Sequence, residues 1–154
     1  MSNIAARLAE LGLELPPVAK PAAAYIPAVV SGSHVFTSGQ LPFIGGELPA
    51  AGKLGGAISV EDGATYARAA ALNALAAIDS VIGSLDRVTK IVKVTCFVAS
   101  EPDFTSQSLV ANGASVLLGE LFGPEIGTHA RSAVGMAVLP FDSPVEVELI
   151  VEFA

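Results

Sequence analysis

The fold class that this sequence predicts is an α+β sandwich: a mixed sheet carrying two main helices on one face, with a short helix ahead of them. Three observations predict it. Hydrophobic periodicity changes along the chain in the order helix, two strands, helix, strand, helix, two strands, which suits helices gathered on one side of a sheet. The last strand alternates cleanly, with Val145, Val147, Leu149, Val151 and Phe153 on one face and Glu146, Glu148 and Glu152 on the other. Finally, 154 residues, 52% of them hydrophobic, are enough to bury a core without disulfides or a structural metal. One domain over residues 1–154 is expected.

Ile4, Leu8 and Leu11 recur at helical spacing before Gly12, and Pro16-Pro17 forbids continuation, so residues 1–17 read as a leading helix and linker. From Tyr25 to Gln40, two stretches rich in Val, Ile, Phe and Thr flank Ser31-Gly32-Ser33, the signature of a hairpin. Phe43 to Gly56 is glycine-rich and contains Gly52-Lys53. A phosphate loop fails there, because Gly46 and Gly52 are one residue too far apart and Leu54 stands where a metal-binding hydroxyl is required. The segment reads as a surface loop.

Ser59 and Asp62 form a capping pattern ahead of a helix with Ala71, Leu75, Ile78 and Ile82 on one face, stopped by Gly83. Val88 to Val98 is a β-branched run, and Ser100 with Asp103 repeats the capping pattern before a second helix to about Leu118. Within it, Asn112-Gly113 marks a close contact or a break, since glycine costs about 1 kcal/mol relative to alanine in a helix. Arg131 to Leu139 and Val145 to Phe153 then read as a hairpin around Pro140-Phe141-Asp142-Ser143-Pro144. In its first strand Ser132, Val134, Met136 and Val138 alternate with Arg131, Ala133, Gly135 and Ala137. The bulky set is expected to meet the helices. Ala133, Gly135, Ala137 and Ile150, together with Arg131 and the glutamates, would then form a second face suited to subunit contact.

Charged residues are only 15% of the chain, against about 25% in an ordinary domain, so part of the nominal surface is expected to be covered by other subunits. No apolar run approaches the roughly 20 residues of a membrane span. A net charge of −7 with eight scattered Lys and Arg disfavours nucleic acid as a partner. One cysteine, Cys96, excludes an internal disulfide, and Arg7 and Glu10 interrupt what a secretory signal would keep apolar. A cytoplasmic protein is expected.

For chemistry, His34 and His129 lack ligand partners at a recognisable metal spacing, and Ser38 lacks the pattern of a nucleophile elbow. Cys96 reads as a buried, inert thiol. Arg131 is conspicuous as a guanidinium opening a strand. Either it pairs with a neighbouring glutamate, or it clamps the carboxylate of a small metabolite in bidentate fashion.

Two motifs narrow the choice. His129-Ala130-Arg131-Ser132-Ala133-Val134-Gly135, followed by Leu139-Pro140 and Val145-Glu146-Val147-Glu148, resembles the C-terminal signature of the Rid family, YjgF-type, also labelled endoribonuclease L-PSP. Tyr25 and Phe36-Thr37-Ser38-Gly39-Gln40-Leu41-Pro42 resemble its other signature. The resemblance covers nearly everything after the leading helix and points to a longer-chain branch. It implies a chorismate-mutase-like fold, a homotrimer with clefts between subunits, no cofactor, and deamination of reactive 2-imino or 2-enamino acids to 2-keto acids and ammonia. A non-catalytic binder of small carboxylates is the alternative, and an endoribonuclease is disfavoured by the charge. By the same resemblance Arg131 binds the substrate carboxylate and Glu146 positions or activates water. Tyr25, Ser38, Gly39, Ala133 and Asn112 line the pocket, Asn112 matching only across an insertion. His129 stands where proline is usual in the family, and Ala133 where cysteine is common. With the last two strands as a hairpin, Arg131 and Glu146 would lie roughly 23 Å apart at about 3.3 Å per residue. The site is therefore expected to take Glu146 from a neighbouring chain.

Overall fold

Helix α1 (Ile4–Glu10) opens the described part of the chain, which comprises residues 4–18, 20 and 24–154 of a computed structural model. Ile4 and Leu8, four residues apart, are its buried pair, and the Asp86 carboxylate accepts from the Ile4 backbone N–H at 2.7 Å. Strands β1 (Ala28–Ser31) and β2 (His34–Thr37) form the expected hairpin, Ser31 opposite His34, with Gly32 at φ 58° in the turn. Helix α2 (Val60–Ile82) is capped by Ser59, whose hydroxyl accepts from the Asp62 N–H at 3.1 Å. It ends on left-handed Gly83, whose N–H donates to the Asp79 carbonyl at 2.7 Å.

Strand β3 (Val88–Ala99), helix α3 (Gln107–Gly127), strand β4 (Ala130–Met136) and strand β5 (Val145–Phe153) complete the architecture. The sheet order is β1-β2-β5-β3-β4. β3 and β4 run parallel, bridged by α3, and β5 is antiparallel to both β2 and β3. This corrects the expected final hairpin. β4 and β5 do not pair, because β3 lies between them, and the connection crosses the end of β3 with Phe141 and Asp142 at positive φ. A parallel pair needs a long crossover, and α3 supplies it.

The facing of β4 is corrected with it. Residues paired across a sheet share a face, and Arg131 pairs with buried Val94 while Ala133 pairs with buried Cys96. Arg131, Ala133 and Gly135 therefore lie on the helix side, and the bulkier Val134 and Met136 lie on the open side. On that side a β-carbon on Gly135 would meet the side-chain ends of Gln107 and Ser100.

Two loop readings also change. Leu54 is fully buried, its N–H donating to the Ala99 carbonyl at 2.8 Å and its carbonyl accepting from Glu101 at 3.0 Å. Asn73, buried on α2, donates to the carbonyls of Leu41 and Phe43, so the segment expected as a plain surface loop is pinned at both ends. Ser100 and Asp103 do not cap α3, which starts at Gln107; the Ser100 hydroxyl donates to the Val98 carbonyl instead. The helix runs past Leu118 to Gly127, broken at Gly123 (φ 72°) before Pro124. Among the described residues no helix is long and apolar enough to cross a membrane.

The core is sealed where α2 and α3 cross, on alanines: Ala67, Ala70, Ala71 and Ala74 of α2 are all fully buried. Gly113 settles its own ambiguity in favour of close contact, since a β-carbon there would fall inside the Ala64 carbonyl on α2. Two effects of Gly113→Ala oppose each other: helix propensity gains about 1 kcal/mol, and overpacking costs about 1–3 kcal/mol. With backbone as the obstacle the second dominates. Gly113→Ala should lower the thermal unfolding midpoint by several degrees, at roughly 2–4 °C per kcal/mol; a raised midpoint would show that the helices are not in contact there.

Candidate functional site

Helix α3 carries a polar stripe, Ser108, Asn112 and Ser115, spaced four and three residues apart so that all three face one way. Arg131, at the start of β4 and pointing to the helix side, lies along that stripe. Its Nη1 donates to Asn112 Oδ1 at 2.8 Å and to Ser115 Oγ at 3.1 Å, and its Nη2 donates to the Ser108 carbonyl at 3.3 Å. All three acceptors are neutral. The ion pairs among the described residues are Arg7 with Glu10 and Arg68 with Glu120, so within the chain Arg131 is paired with no glutamate among those residues. Of five guanidinium N–H donors, Nε–H and one on Nη2 have no partner among the described residues.

Next to this group, His129 Nε2 is 2.9 Å from Ser115 Oγ and His129 Nδ1 is 2.6 Å from the Gly127 carbonyl. Both His129 and Ser115 are half-buried. Beneath Arg131, Cys96 is fully buried and its thiol is pushed up to about 12, by burial first and with Arg131 partly opposing. A thiol held protonated in this way is no nucleophile.

A second cluster forms where β2 meets β5. Phe36 pairs with Ile150, but the next bridge is Gln40 with Val147, so β2 carries one extra residue over the interval 37–39. Thr37 covers the gap by accepting the Leu149 N–H on its hydroxyl at 2.9 Å. The bulge places Gly39 directly against the Glu146 carboxyl, in space that any β-carbon would occupy. Glu146 is half-buried, and its carboxyl is raised above the ordinary range, by burial first and then by Glu148 two residues on. Ser38 donates to the Ile26 carbonyl at 2.6 Å, which ties the half-exposed Tyr25 segment to the same corner.

The expected site residues thus gather into two groups: Arg131, Asn112 and Ala133 at the β4 edge, and Tyr25, Ser38, Gly39 and Glu146 at the β2–β5 junction. Within one chain they stay apart. Arg131 is aligned with Leu149 through Val94, three residues from Glu146 and two strands away, or roughly 14 Å between α-carbons by strand spacing. The two side chains also leave opposite faces of the sheet. Ser115 and the His129 contact were not expected from the sequence, although the spacing of Ser108, Asn112 and Ser115 on an otherwise apolar helix could have indicated the stripe. Among the described residues no three His, Cys, Asp or Glu side chains cluster as metal ligands would.

The family model described as "YjgF/chorismate mutase-like, putative endoribonuclease" matches residues 5–153. The chain belongs to this family. Protein TCP17 of Trypanosoma cruzi is 48% identical over 150 residues, covering 97% of this chain and 94% of its own. The protein Atu1372 of Agrobacterium tumefaciens has a TM-score of 0.90 at 41% identity, over 98% of this chain and 93% of its own. E. coli TdcF, solved with bound serine, has a TM-score of 0.61 at 30% identity, over 91% of this chain and 94% of its own. The chorismate-mutase-like α+β fold expected from the motifs is therefore the fold of the chain.

The raised Glu146 carboxyl has a consequence for stability. A carboxyl that holds its proton more tightly when folded stabilises the fold fully below its unfolded pKa, and that contribution is lost as pH rises through the folded value. Once ionised, the native carboxylate is a half-buried charge. Glu146→Gln should therefore raise the unfolding midpoint at pH 7, and the gain should vanish towards about pH 3, below the unfolded glutamate pKa, where the wild-type carboxyl is protonated in both states. Equal gains at both pH values would contradict this account.

Proposed function

We propose that this chain hydrolyses reactive 2-imino or 2-enamino acids to 2-keto acids and ammonia, in clefts to which neighbouring subunits of a homotrimer contribute. The observation that carries the reading is the state of Arg131: a guanidinium held by three neutral acceptors, unpaired with any carboxylate among the described residues, with two N–H groups unused. A planar fork with two free donors matches a carboxylate. The bound serine of TdcF supports recognition of an amino-acid-like ligand within the family.

In this reading Arg131 anchors the substrate carboxylate and so fixes the neighbouring C=N carbon. Water adds to that carbon, the C–N bond of the resulting carbinolamine breaks, and ammonia leaves with a proton while the 2-keto acid forms. An imine is already electrophilic, so positioning and one proton relay suffice. Glu146 is suited to the relay because its half-buried carboxyl, set against Gly39, is raised above the ordinary carboxylate range. Its separation from Arg131 means that one small substrate reaches both only if Glu146 comes from a second subunit. The open sheet face supports such an assembly, since Phe36, Val134 and Met136 are 41%, 41% and 37% exposed there.

A binder of small carboxylates that does not turn them over is the second reading, favoured by the same arginine and by the serine in TdcF. The endoribonuclease in the family description is the weakest. Counterion release supplies much of the affinity for a polyanion, and a chain at −7 has little to offer it.

The test is a coupled assay in which an amino-acid oxidase generates the imine and keto-acid release is followed. Wild-type protein should accelerate release above buffer. Arg131→Ala should lower kcat/KM about 100-fold, or about 2.7 kcal/mol, and Arg131→Lys, which keeps charge but loses the fork, about tenfold. No acceleration by folded wild-type protein across several side-chain types would overturn the enzyme reading, and pyruvate binding without turnover would favour the binder.

Subunit mixing tests the shared cleft. Arg131→Ala and Glu146→Ala should each be nearly inactive, yet a random equal mixture should recover about a quarter of wild-type activity. About three quarters of cyclic trimers are then mixed, each with one intact cleft in three. Proven exchange without recovery would confine the site to one chain or remove Glu146 from it.

A further inference from the structure

We propose that Ser115 and His129 are positioning residues that hold the Arg131 guanidinium in one plane and one rotational setting; this rests on the reading of Arg131 as the carboxylate anchor. The direction of every hydrogen bond in the chain follows from one end. A carbonyl oxygen only accepts, so the 2.6 Å contact of His129 Nδ1 with the Gly127 carbonyl places the proton on Nδ1. A neutral imidazole with Nδ1 protonated presents a lone pair at Nε2, and the Ser115 hydroxyl, 2.9 Å away, donates to it. Its proton so committed, Ser115 Oγ turns a lone pair to Arg131 Nη1 at 3.1 Å. Asn112 Oδ1 takes the other Nη1 hydrogen at 2.8 Å, and the Ser108 carbonyl takes one from Nη2 at 3.3 Å.

The result is a serine hydroxyl that cannot rotate and a guanidinium whose Nη1 is saturated. Nε–H and the remaining Nη2–H are left for the ligand, and these can lie on one edge of the fork, spaced for the two oxygens of a carboxylate. The backbone anchors the arrangement at both ends: Gly127 closes α3, Ala130 opens β4, and His129 lies in the two-residue link between them. The relay therefore ties the orientation of Arg131 to the junction of the helix and strand that form its pocket. Without the imidazole acceptor, the Ser115 hydroxyl is free to turn its proton towards Arg131, and the guanidinium loses a fixed partner.

Binding of pyruvate and of its neutral amide, pyruvamide, measured by calorimetry on the whole protein, separates positioning from general structure. Ser115→Ala and His129→Phe should each weaken pyruvate binding about tenfold while leaving pyruvamide binding and the unfolding midpoint near wild type. Ser115→Thr and His129→Gln, which keep a hydroxyl and an acceptor, should restore much of the pyruvate affinity. In an Arg131→Ala background, Ser115→Ala should cost nothing further, because the residue acts through the arginine. Wild-type pyruvate affinity in Ser115→Ala and His129→Phe, where Arg131→Ala has lost it, would overturn the relay and leave the anchor standing. Equal losses for pyruvate and pyruvamide, or an additive loss in the double variant, would also overturn it. Covalent capture of Ser115 by a fluorophosphonate would do the same, by making that serine a nucleophile. If Arg131→Ala itself retains full pyruvate affinity, the anchor and the relay fall together.

Discussion

The pairing of β5 with both β2 and β3 is the constraint on which the rest of the molecule depends. A strand hydrogen-bonded on two sides leaves no vacancy beside it, so β4 does not pair with β5 and joins the sheet beyond β3, at the edge. There β4 runs parallel to β3, which requires the crossover that α3 supplies. The same pairing decides where the chemistry lies. Glu146 sits at the start of the central strand and Arg131 at the start of the edge strand, on opposite faces. The cleft chemistry proposed for the chain, with each site divided between copies, is then a consequence of strand order.

Close approach is the second theme, and it is built from absent side chains. α2 buries a run of alanines and presents the bare Ala64 backbone to Gly113, so the two helices meet there at a distance that a single added carbon would prevent. Gly39 does the same at the β2–β5 corner, where its missing β-carbon is the space that the Glu146 carboxyl fills. The bulge that brings Gly39 there leaves the Leu149 N–H without a strand partner, and Thr37 repairs it with its hydroxyl. A buried N–H left unpaired costs about 1–3 kcal/mol, so the bulge is tolerable because threonine stands beside it.

How far the fold was legible depended on whether its signal was local. Ser59 and Gly83 bound α2 through short-range hydrogen bonds, and the Ser31-Gly32-Ser33 turn closes β1 on β2; both are readable in a few residues. Strand partnership is not local. Pro140 to Pro144 has the composition of a hairpin turn, yet the connection crosses β3, and nothing within it reports which strand lies beyond. The facing of β4 is non-local for a related reason: it follows from pairing with buried Val94 and Cys96 on β3, and the bulk of its own side chains does not report it. The candidate site shows the same division. Arg131, Glu146 and Gly39 were legible through motifs, and the structure adds Ser115 and His129, which become neighbours only when α3 turns at Gly127 and hands the chain to β4.

The way in which Arg131 is held bears on what a guanidinium can do there. A carboxylate partner would bind the fork strongly, through charge-assisted bonds that a free metabolite would have to displace. Neutral acceptors orient the group without cancelling its charge, so attraction for an incoming anion is retained. This matters in a chain with net charge −7, where the surrounding field disfavours any anion at long range. Screening weakens that field beyond about 8 Å at physiological ionic strength, leaving the local guanidinium to decide the outcome at contact. A polyanion, which must neutralise its charge over an extended surface, gains little from one such point. A small carboxylate needs only that point. Under the proposed function, discrimination between the two classes of ligand would therefore lie in the contrast between an acidic surface and an arginine cradled by Asn112, Ser115 and the Ser108 carbonyl.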